Sequence, residues 1–317
     1  MRKELIWPAV GLVAVAFSLW LIYHEVRGLS LEDVVDSLQA ITARSWTLAV
    51  GATMLAYAAL AGYDRIALLH LRKQVSWLFI TLCSFTAYAL AHNIGASVFS
   101  GAVVRYRAYS SQGLTAAEVA VLVGLCSFTF ALGTILLGGV VLVLEPELAA
   151  RILEDLPPGV ALGLGVGMLG FVLLYVVGSW LRLPPLQIGR FELQYPSMPV
   201  VARQLVIGPL ELIGAAGIIY FALPAAGNPG FVVVLGMFLA SFSIALLSHA
   251  PGGLGVLEFV FLVSLPEVDP ADVLAALLVF RLLYLLIPLA LALVVVLLFE
   301  RAQLLKWLIR KQRHSAA

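Results

Sequence analysis

The chain has 317 residues, of which 62% are hydrophobic and 12% are charged, and its mean hydropathy is +1.05. A soluble domain of this length buries a full core with far fewer apolar residues, so the composition predicts an integral membrane protein. The formal net charge of +1 gives no basis for a nucleic-acid partner, and Cys83 and Cys126, both in apolar stretches, are predicted to be buried thiols.

Charge-free apolar runs long enough to cross about 30 Å of hydrocarbon predict membrane-spanning helices. In chain order these helices lie near 6–23, 46–63, 117–144, 159–181, 201–223 and 273–299. Residues 31–42 carry apolar side chains on one helical face, which predicts an amphipathic helix on the membrane surface. Residues 186–193 alternate around a Gly-Arg pair, which predicts a small β-hairpin on the cytoplasmic surface.

Two further apolar regions, 76–104 and 231–265, are interrupted in the middle by small, polar or helix-breaking residues. Proline removes a backbone donor and glycine permits turns closed to other residues, so each region is predicted to be a re-entrant helical hairpin. The residues that mark the two breaks are His92, Asn93, Gly95, Ser100, Gly101, His249, Pro251, Gly252, Gly253, Gly255 and Glu258. The two histidines are interpreted as hydrogen-bond partners for freed backbone groups, with proton carriage as the alternative.

The spacing of the runs indicates an internal repeat. Adding 155 to the starts at 46, 76 and 117 gives 201, 231 and 272, although chance spacing of evenly sized spans is the alternative. Each half crosses the membrane three times, and this odd number makes the halves inverted. The predicted fold is therefore an all-α polytopic membrane protein with eight hydrophobic regions, six full transmembrane helices and two re-entrant hairpins. The single domain, 1–317, divides into repeat 1 (about 1–148), repeat 2 (about 149–300) and a basic cytoplasmic tail (301–317).

Loop charges predict the orientation of the chain. With both termini in the cytoplasm, fifteen of the nineteen Lys and Arg residues fall inside and only Arg27, Arg44 and Arg151 fall outside. The outer loops instead collect eleven Asp and Glu residues. Because basic residues favour the cytoplasmic side, the pattern predicts a multi-pass protein of the bacterial inner membrane with cytoplasmic N and C termini.

Sequence motifs for enzyme chemistry are lacking. Residues 165–170 fit the dinucleotide pattern GxGxxG, but they lie in an apolar span with no preceding strand, so close helix packing through Gly163 and Gly167 is the preferred interpretation. No Gly-Lys pair occurs, which excludes a Walker A loop, and no HExxH, CxxC or nucleophile-elbow pattern is present. The sequence therefore predicts no catalytic residues, no metal and no cofactor.

Ionisable residues at membrane depth are costly and are candidate functional residues. Glu211 lies near the centre of its span, with a protonated or locally paired structural role as the alternative. Arg281, Tyr284 and Pro288 have the spacing of one helical face. Arg281 is predicted either to bind a ligand or to hydrogen-bond a carbonyl group of a broken helix. Asp64 is predicted to lie at the cytoplasmic end of the second span, where it is either a residue of the functional site or only a residue at the end of the helix.

A concentration of polar residues follows the first break, where Arg105, Tyr106 and Arg107 emerge from the predicted hairpin. Guanidinium groups bind phosphate in a bidentate manner, and tyrosine suits the head-group layer. The three residues are therefore predicted to bind substrate, with ordinary anchoring by positive charge as the alternative.

Four ordered segments carry a resemblance to a known family: His92-Asn93-Ile94-Gly95, Ser100-Gly101 through Arg105-Tyr106-Arg107, Pro251-Gly252-Gly253-Leu254-Gly255 with Glu258, and Arg281-Leu282-Leu283-Tyr284 with Pro288. The chain resembles the transmembrane family of lysylphosphatidylglycerol synthase/flippase proteins over nearly its whole length. That family includes the N-terminal half of the multiple peptide resistance factor and stand-alone members, some linked to hopanoid synthesis.

The resemblance implies a flippase that carries an aminoacylated phosphatidylglycerol between leaflets, with polar positions at Asp64, Arg105 and Glu211. Synthase members continue into a soluble aminoacyl-transferase domain, whereas this chain stops at Ala317, so enzyme activity is not expected. Membrane phospholipids are the expected partners, and the basic tail suits either anionic lipid or a separate lipid-modifying enzyme. Rival hypotheses are a polyprenyl-phosphate or hopanoid transporter and a non-transport, lipid-binding scaffold, and a homo-oligomer is compatible with each.

Overall fold

A computed structural model describes residues 30–94, 97–152, 156–182, 186–188, 191–193, 196–248, 253–299 and 301. The predicted first span at 6–23 and the basic tail beyond residue 301 lie outside the described residues. The helices are α1 Leu31–Ala40, α2 Ala43–His70, α3 Trp77–Ile94, α4 Ser97–Ser110, α5 Ala116–Leu144, α6 Pro158–Trp180, α7 Met198–Ala222, α8 Phe231–Ser248, α9 Val256–Ser264 and α10 Pro270–Phe299. A short 3-10 helix, Pro146–Arg151, follows α5, and a π-helical turn, Arg281–Leu286, interrupts α10.

Five of the described helices are long and apolar enough to cross a membrane, namely α2, α5, α6, α7 and α10. They match five of the six predicted spans, and their predicted ends differ from the observed ends by a few residues. The largest difference is at α2, which was predicted to end at residue 63 and continues to His70. The helix continues past Asp64 because this carboxylate is fully buried within the protein and does not mark the end of the helix.

Local sequence signals explain where several helices begin. Thr115 accepts a hydrogen bond from the amide of Glu118, whose carboxylate accepts from the amide of Thr115, so this reciprocal capping box starts α5. Ser30 and Asp33 form the same arrangement at α1, the predicted amphipathic helix. Hydrogen bonds from the backbone amide and hydroxyl of Ser30 lower the pKa of Asp33.

The short β-hairpin was also predicted correctly. Strands β1, Leu186–Ile188, and β2, Phe191–Leu193, pair antiparallel between α6 and α7. Leu186 lies opposite Leu193, and Ile188 lies opposite Phe191. The hairpin is a small addition to a protein whose described membrane part is helical.

Helices α2 and α7 form the most extensive helix–helix contact among the described residues. A Cβ atom added to Gly214 of α7 would lie 2.8 Å from the carbonyl oxygen of Ala52 and 2.8 Å from the backbone nitrogen of Ala56. Gly208, also of α7, meets Gly133 of α5 in the same way, since an added Cβ at Gly133 would lie 2.6 Å from the Gly208 carbonyl carbon. Glycine is required at these positions because the helix backbones themselves touch.

The glycines of α6 behave differently from the prediction. An added Cβ at Gly163 or Gly167 would meet nothing within 4 Å, so this GxxxG pair does not pack a helix among the described residues. Gly165 makes the close contact instead, since a Cβ added there would lie 3.0 Å from the Gly139 carbonyl oxygen. Among the described residues, the close packing predicted for this motif is therefore made by Gly165, because spacing alone does not say which face of a lipid-exposed helix meets its neighbour.

Candidate functional site

A buried ion pair lies where α2 and α4 meet. Arg105 of α4 donates from Nη2 to Oδ1 of Asp64 at 2.8 Å, and its Nε donates to the same carboxylate at 3.1 Å. Tyr109, one helical turn after Arg105, donates its hydroxyl to Oδ2 of Asp64 at 2.9 Å. The exposed fractions are 0% for Asp64 and 4% for Arg105, so the two charges neutralise each other away from solvent.

An aromatic ring and a glycine pack closely against the Arg105 guanidinium. Its Cζ atom lies 4.4 Å from the ring centroid of Tyr88 on α3, within the range of a cation–π contact. Gly101, one turn before Arg105, leaves room for it, because an added Cβ there would lie 3.0 Å from Nη1. The free thiol of Cys126 is buried, as predicted, with Sγ 3.5 Å from Oδ1 of Asp64.

The residues predicted to act with Arg105 do not share its position. Tyr106 is half exposed, at 51%, and Arg107 is also exposed, whereas Arg105 and Tyr109 point inward. The α-helical periodicity of α4 accounts for this division, because residues four apart share a face and adjacent residues do not. The structure thus brings Asp64 and Arg105 together and places Tyr106 and Arg107 on the outer side of α4.

A second buried acid lies on α7. Glu211 has an exposed fraction of 1%, and Tyr284 of α10 donates its hydroxyl to Oε1 of Glu211 at 2.5 Å. Among the described residues, no group hydrogen-bonds the other carboxyl oxygen, Oε2. Tyr63 stands on the adjoining face of α2 and donates to the carbonyl oxygen of Gly208, one turn earlier on α7, at 3.1 Å.

The π-helical turn of α10 positions Tyr284. In a π-helical turn the backbone hydrogen bonds join residues five apart instead of four. Here the carbonyl groups of the turn also accept hydrogen bonds from side chains of other helices. Tyr57 of α2 donates its hydroxyl to the Tyr284 carbonyl at 2.9 Å, and Asn93 of α3 donates its side-chain amide to the Leu285 carbonyl at 3.1 Å. His92 stacks on the Tyr284 ring with centroids 5.2 Å apart. The end of α3 is therefore clamped to the turn that carries Tyr284.

The same turn separates Arg281 from Tyr284, which corrects the prediction that the two share one face. Arg281 donates Nε to Oε1 of Glu258 at 2.6 Å and Nη2 to the Gly253 carbonyl at 3.5 Å, whereas Tyr284 contacts Glu211. The prediction assumed 3.6 residues per turn, a spacing that a π turn does not keep. Of the two roles that the sequence allowed for Arg281, the observed contacts match the hydrogen bond to a carbonyl group of a broken helix.

Several residues predicted at the two breaks have different positions in the structure. His92 and Asn93 form the last turn of α3, while Ser100 and Gly101 lie inside α4, which resumes at Ser97. Gly253 and Gly255 have φ values of +63° and +81°, and the carboxylate of Glu258 accepts the Gly255 amide at 2.9 Å to cap α9. The predicted break residues outside the described part of the chain are Gly95, His249, Pro251 and Gly252.

Sequence reasoning missed the tyrosines that surround the two acids. Tyr63 and Tyr109 are fully buried, Tyr57 and Tyr88 are partly buried, and Tyr63 contacts Tyr88 edge-on with centroids 6.2 Å apart. A tyrosine in the middle of an apolar span needs a hydrogen-bond partner, so their depth was an available signal. Together with His92 and Tyr284 they connect the Asp64–Arg105 pair to Glu211 through ring contacts.

Comparison with known proteins agrees with the family suggested by the motifs. The family described as lysylphosphatidylglycerol synthase TM region matches residues 9–292. The chain is 29% identical over 287 residues to the protein slr0712 of Synechocystis sp., covering 89% of this chain and 87% of that protein. It is 31% identical over 256 residues to the inner membrane protein YbhN of Escherichia coli (strain K12), covering 80% and 79%. With its apolar spans, the chain is an integral membrane protein that belongs to the family of the lysylphosphatidylglycerol synthase transmembrane region.

Proposed function

We propose that this protein moves a phospholipid with an aminoacylated head group between the two leaflets of the bacterial inner membrane. The observation that carries the proposal is the buried polar cluster of Asp64, Arg105 and Glu211 inside an apolar, membrane-spanning protein of this family. Charged groups in a bilayer are expensive and mark pathways for polar substrates. The cluster offers both signs of charge, as a head group with a phosphate and an ammonium requires.

An inverted repeat would place this cluster at the centre of the protein. The observed starts of α2 and α7, Ala43 and Met198, differ by 155, as do those of the predicted runs. The pairs α3–α4 and α8–α9, each broken after about eighteen residues in its first helix, are the corresponding hairpins in this scheme. Transporters built this way carry substrate near the midplane, between the repeats. The close contact of α2 with α7 supports such an arrangement, with both termini in the cytoplasm as the loop charges favour.

The Asp64–Arg105 pair suggests how a head group could enter without leaving a buried charge alone. A lipid phosphate would replace Asp64 at the guanidinium, and an ammonium would replace Arg105 at the carboxylate, so every charge keeps a partner. Glu211, with one carboxyl oxygen lacking a partner among the described residues, is a second position for an ammonium. Opposed rocking of the two hairpins would open the cluster to each leaflet in turn.

Glu211→Gln tests the proposal. We expect the initial rate of lysylphosphatidylglycerol translocation to fall about tenfold or more, because a hydrogen bond to a charged group contributes about 1.5–3 kcal/mol. Purified protein is reconstituted in liposomes with head-group-labelled lipid, and a membrane-impermeant quencher reports the label that reaches the outer leaflet. Glu147→Gln, which changes an exposed acid of the 3-10 helix, is the matched control and should keep the wild-type rate.

The same assay separates the rival functions. A transporter of polyprenyl phosphate or hopanoid needs the arginine but no buried acids, so such a lipid would move and Glu211→Gln would have little effect. A lipid-binding scaffold for a separate lipid-modifying enzyme would move none of these lipids. Either result, with a working control flippase in parallel, would contradict the proposed function.

A further inference from the structure

The two carboxylates of the buried cluster differ in how their charge is compensated. Asp64 has a guanidinium and a phenol bound to it, whereas the hydrogen bond found for Glu211 comes from the neutral phenol of Tyr284. In the described part of the chain, neither a Lys nor an Arg side chain forms an ion pair with Glu211. A buried carboxylate without a cation is far more costly than a neutral carboxylic acid in the same place.

The groups that face Glu211 are neutral as well. Helix α2 contributes Tyr57 and Tyr63, and α10 contributes Tyr284. Tyr88 of α3 lies further off, and His92 of α3 reaches Glu211 only through the ring of Tyr284. Within the described residues, α5, α6 and α8 bring no ionisable side chain into contact with it. The arrangement therefore supplies hydrogen bonds but no positive charge.

We infer that the Glu211 carboxyl holds a proton when no lipid is bound and releases it when the ammonium of a lipid head group binds, so that the site exchanges a proton for a cationic lipid. The proton leaves Oε2 for water, and the ammonium takes its place as the partner of the resulting carboxylate. Charge is balanced in both states, since a neutral acid is replaced by an ion pair. The inference rests on the proposed function and adds that a proton is exchanged for the cationic head group of the lipid.

The geometry fits both halves of this exchange. Tyr284 donates to Oε1, which acts as the carbonyl oxygen of the neutral acid and as one oxygen of the carboxylate, so this bond persists through the change. Oε2 carries the proton or meets the ammonium, since no group among the described residues forms a hydrogen bond with it. The phenol of Tyr63 lies beside the carboxyl group, but its hydroxyl donates to the Gly208 carbonyl. An unpaired hydroxyl at this oxygen is tolerated more easily than an unpaired charge.

Infrared difference spectroscopy of the full chain in nanodiscs tests the exchange directly. In nanodiscs without lysylphosphatidylglycerol, we expect the protein to show a carboxylic-acid carbonyl band that shifts on H/D exchange, which distinguishes it from the ester bands of the nanodisc lipids. The band should be absent in Glu211→Gln, present in Glu147→Gln, and moved to higher frequency in Tyr284→Phe, which removes the hydrogen bond to Oε1. Short-chain lysylphosphatidylglycerol should abolish the band, whereas short-chain phosphatidylglycerol, which lacks the ammonium, should leave it.

Three results would overturn the inference. Absence of a band assigned to Glu211 in the wild-type protein before lysylphosphatidylglycerol is added would mean that the acid is already ionised. A band that persists while lysylphosphatidylglycerol is shown to bind in the same sample would contradict the exchange and leave the proposed function standing. Failure of that lipid to bind, together with absence of translocation in liposomes, would overturn both.

Discussion

Arg105→Ala is expected to lower the free energy of unfolding by about 3–5 kcal/mol, because it leaves the Asp64 carboxylate buried without its cation. The loss is measured from unfolding in mixed micelles, or as a fall in the thermal midpoint in nanodiscs. Arg203→Ala is the matched control, since its guanidinium is exposed and bonds the Pro199 carbonyl of its own helix. That change should cost less than about 1 kcal/mol.

A double variant distinguishes the ion pair from simple loss of side-chain packing. Asp64→Leu combined with Arg105→Met removes both charges and keeps apolar volume, so it should be more stable than either single change. A double variant that is as unstable as the sum of the two single variants would contradict the pairing. The comparison also matters for transport assays, since a loss of activity in Arg105→Ala has to be separated from a loss of folded protein.

Gly214→Ala is expected to destabilise the protein by about 1–3 kcal/mol, although alanine is the better helix former. The added Cβ would lie 2.8 Å from backbone atoms of Ala52 and Ala56, so α2 and α7 would have to move apart. The free energy of unfolding in mixed micelles measures the effect. If the proposed function is correct, the displacement should also reduce lipid translocation, because Glu211 lies less than one turn from this contact.

Gly167→Ala provides the matched control in another apolar span. A Cβ added there would meet nothing within 4 Å, so the same substitution should be neutral or stabilising by up to about 1 kcal/mol. Equal effects of the two substitutions would contradict the close contact of α2 and α7. The sign of the difference is the decisive observation, since helix propensity alone favours alanine at both positions.

Hydropathy predicted the membrane helices well because lipid requires long apolar helices whose backbone groups are satisfied internally. The starts of α5, α8 and α10 lie within about three residues of the predicted starts for this reason. The hairpin at 186–193 was predicted from a local rule and is confirmed. Asp64, Arg105 and Glu211 were singled out by depth, and the structure buries all three, while their role in transport stays a prediction.

The contacts among these residues could not be predicted from one sequence, because each joins different helices. Asp64 and Arg105 are 41 residues apart, and Glu211 and Tyr284 are 73 apart. The π turn was invisible to a periodicity argument, which assumes α-helical spacing, so Arg281 and Tyr284 were assigned to one face. The depth of the tyrosines was visible in the sequence, but which of them meet depends on how α2, α3 and α4 pack.

The π turn also fixes the rotational register of α10 beyond residue 286. It holds one more residue per hydrogen-bonded ring than an α-helix, and each residue of an α-helix turns the chain by about 100°. Downstream of the turn, Ala292 is fully buried while Leu291 and Leu293 are exposed. The number of residues between Arg281 and Leu286, independently of their chemistry, thus decides which side chains of the last span face lipid and which face the protein.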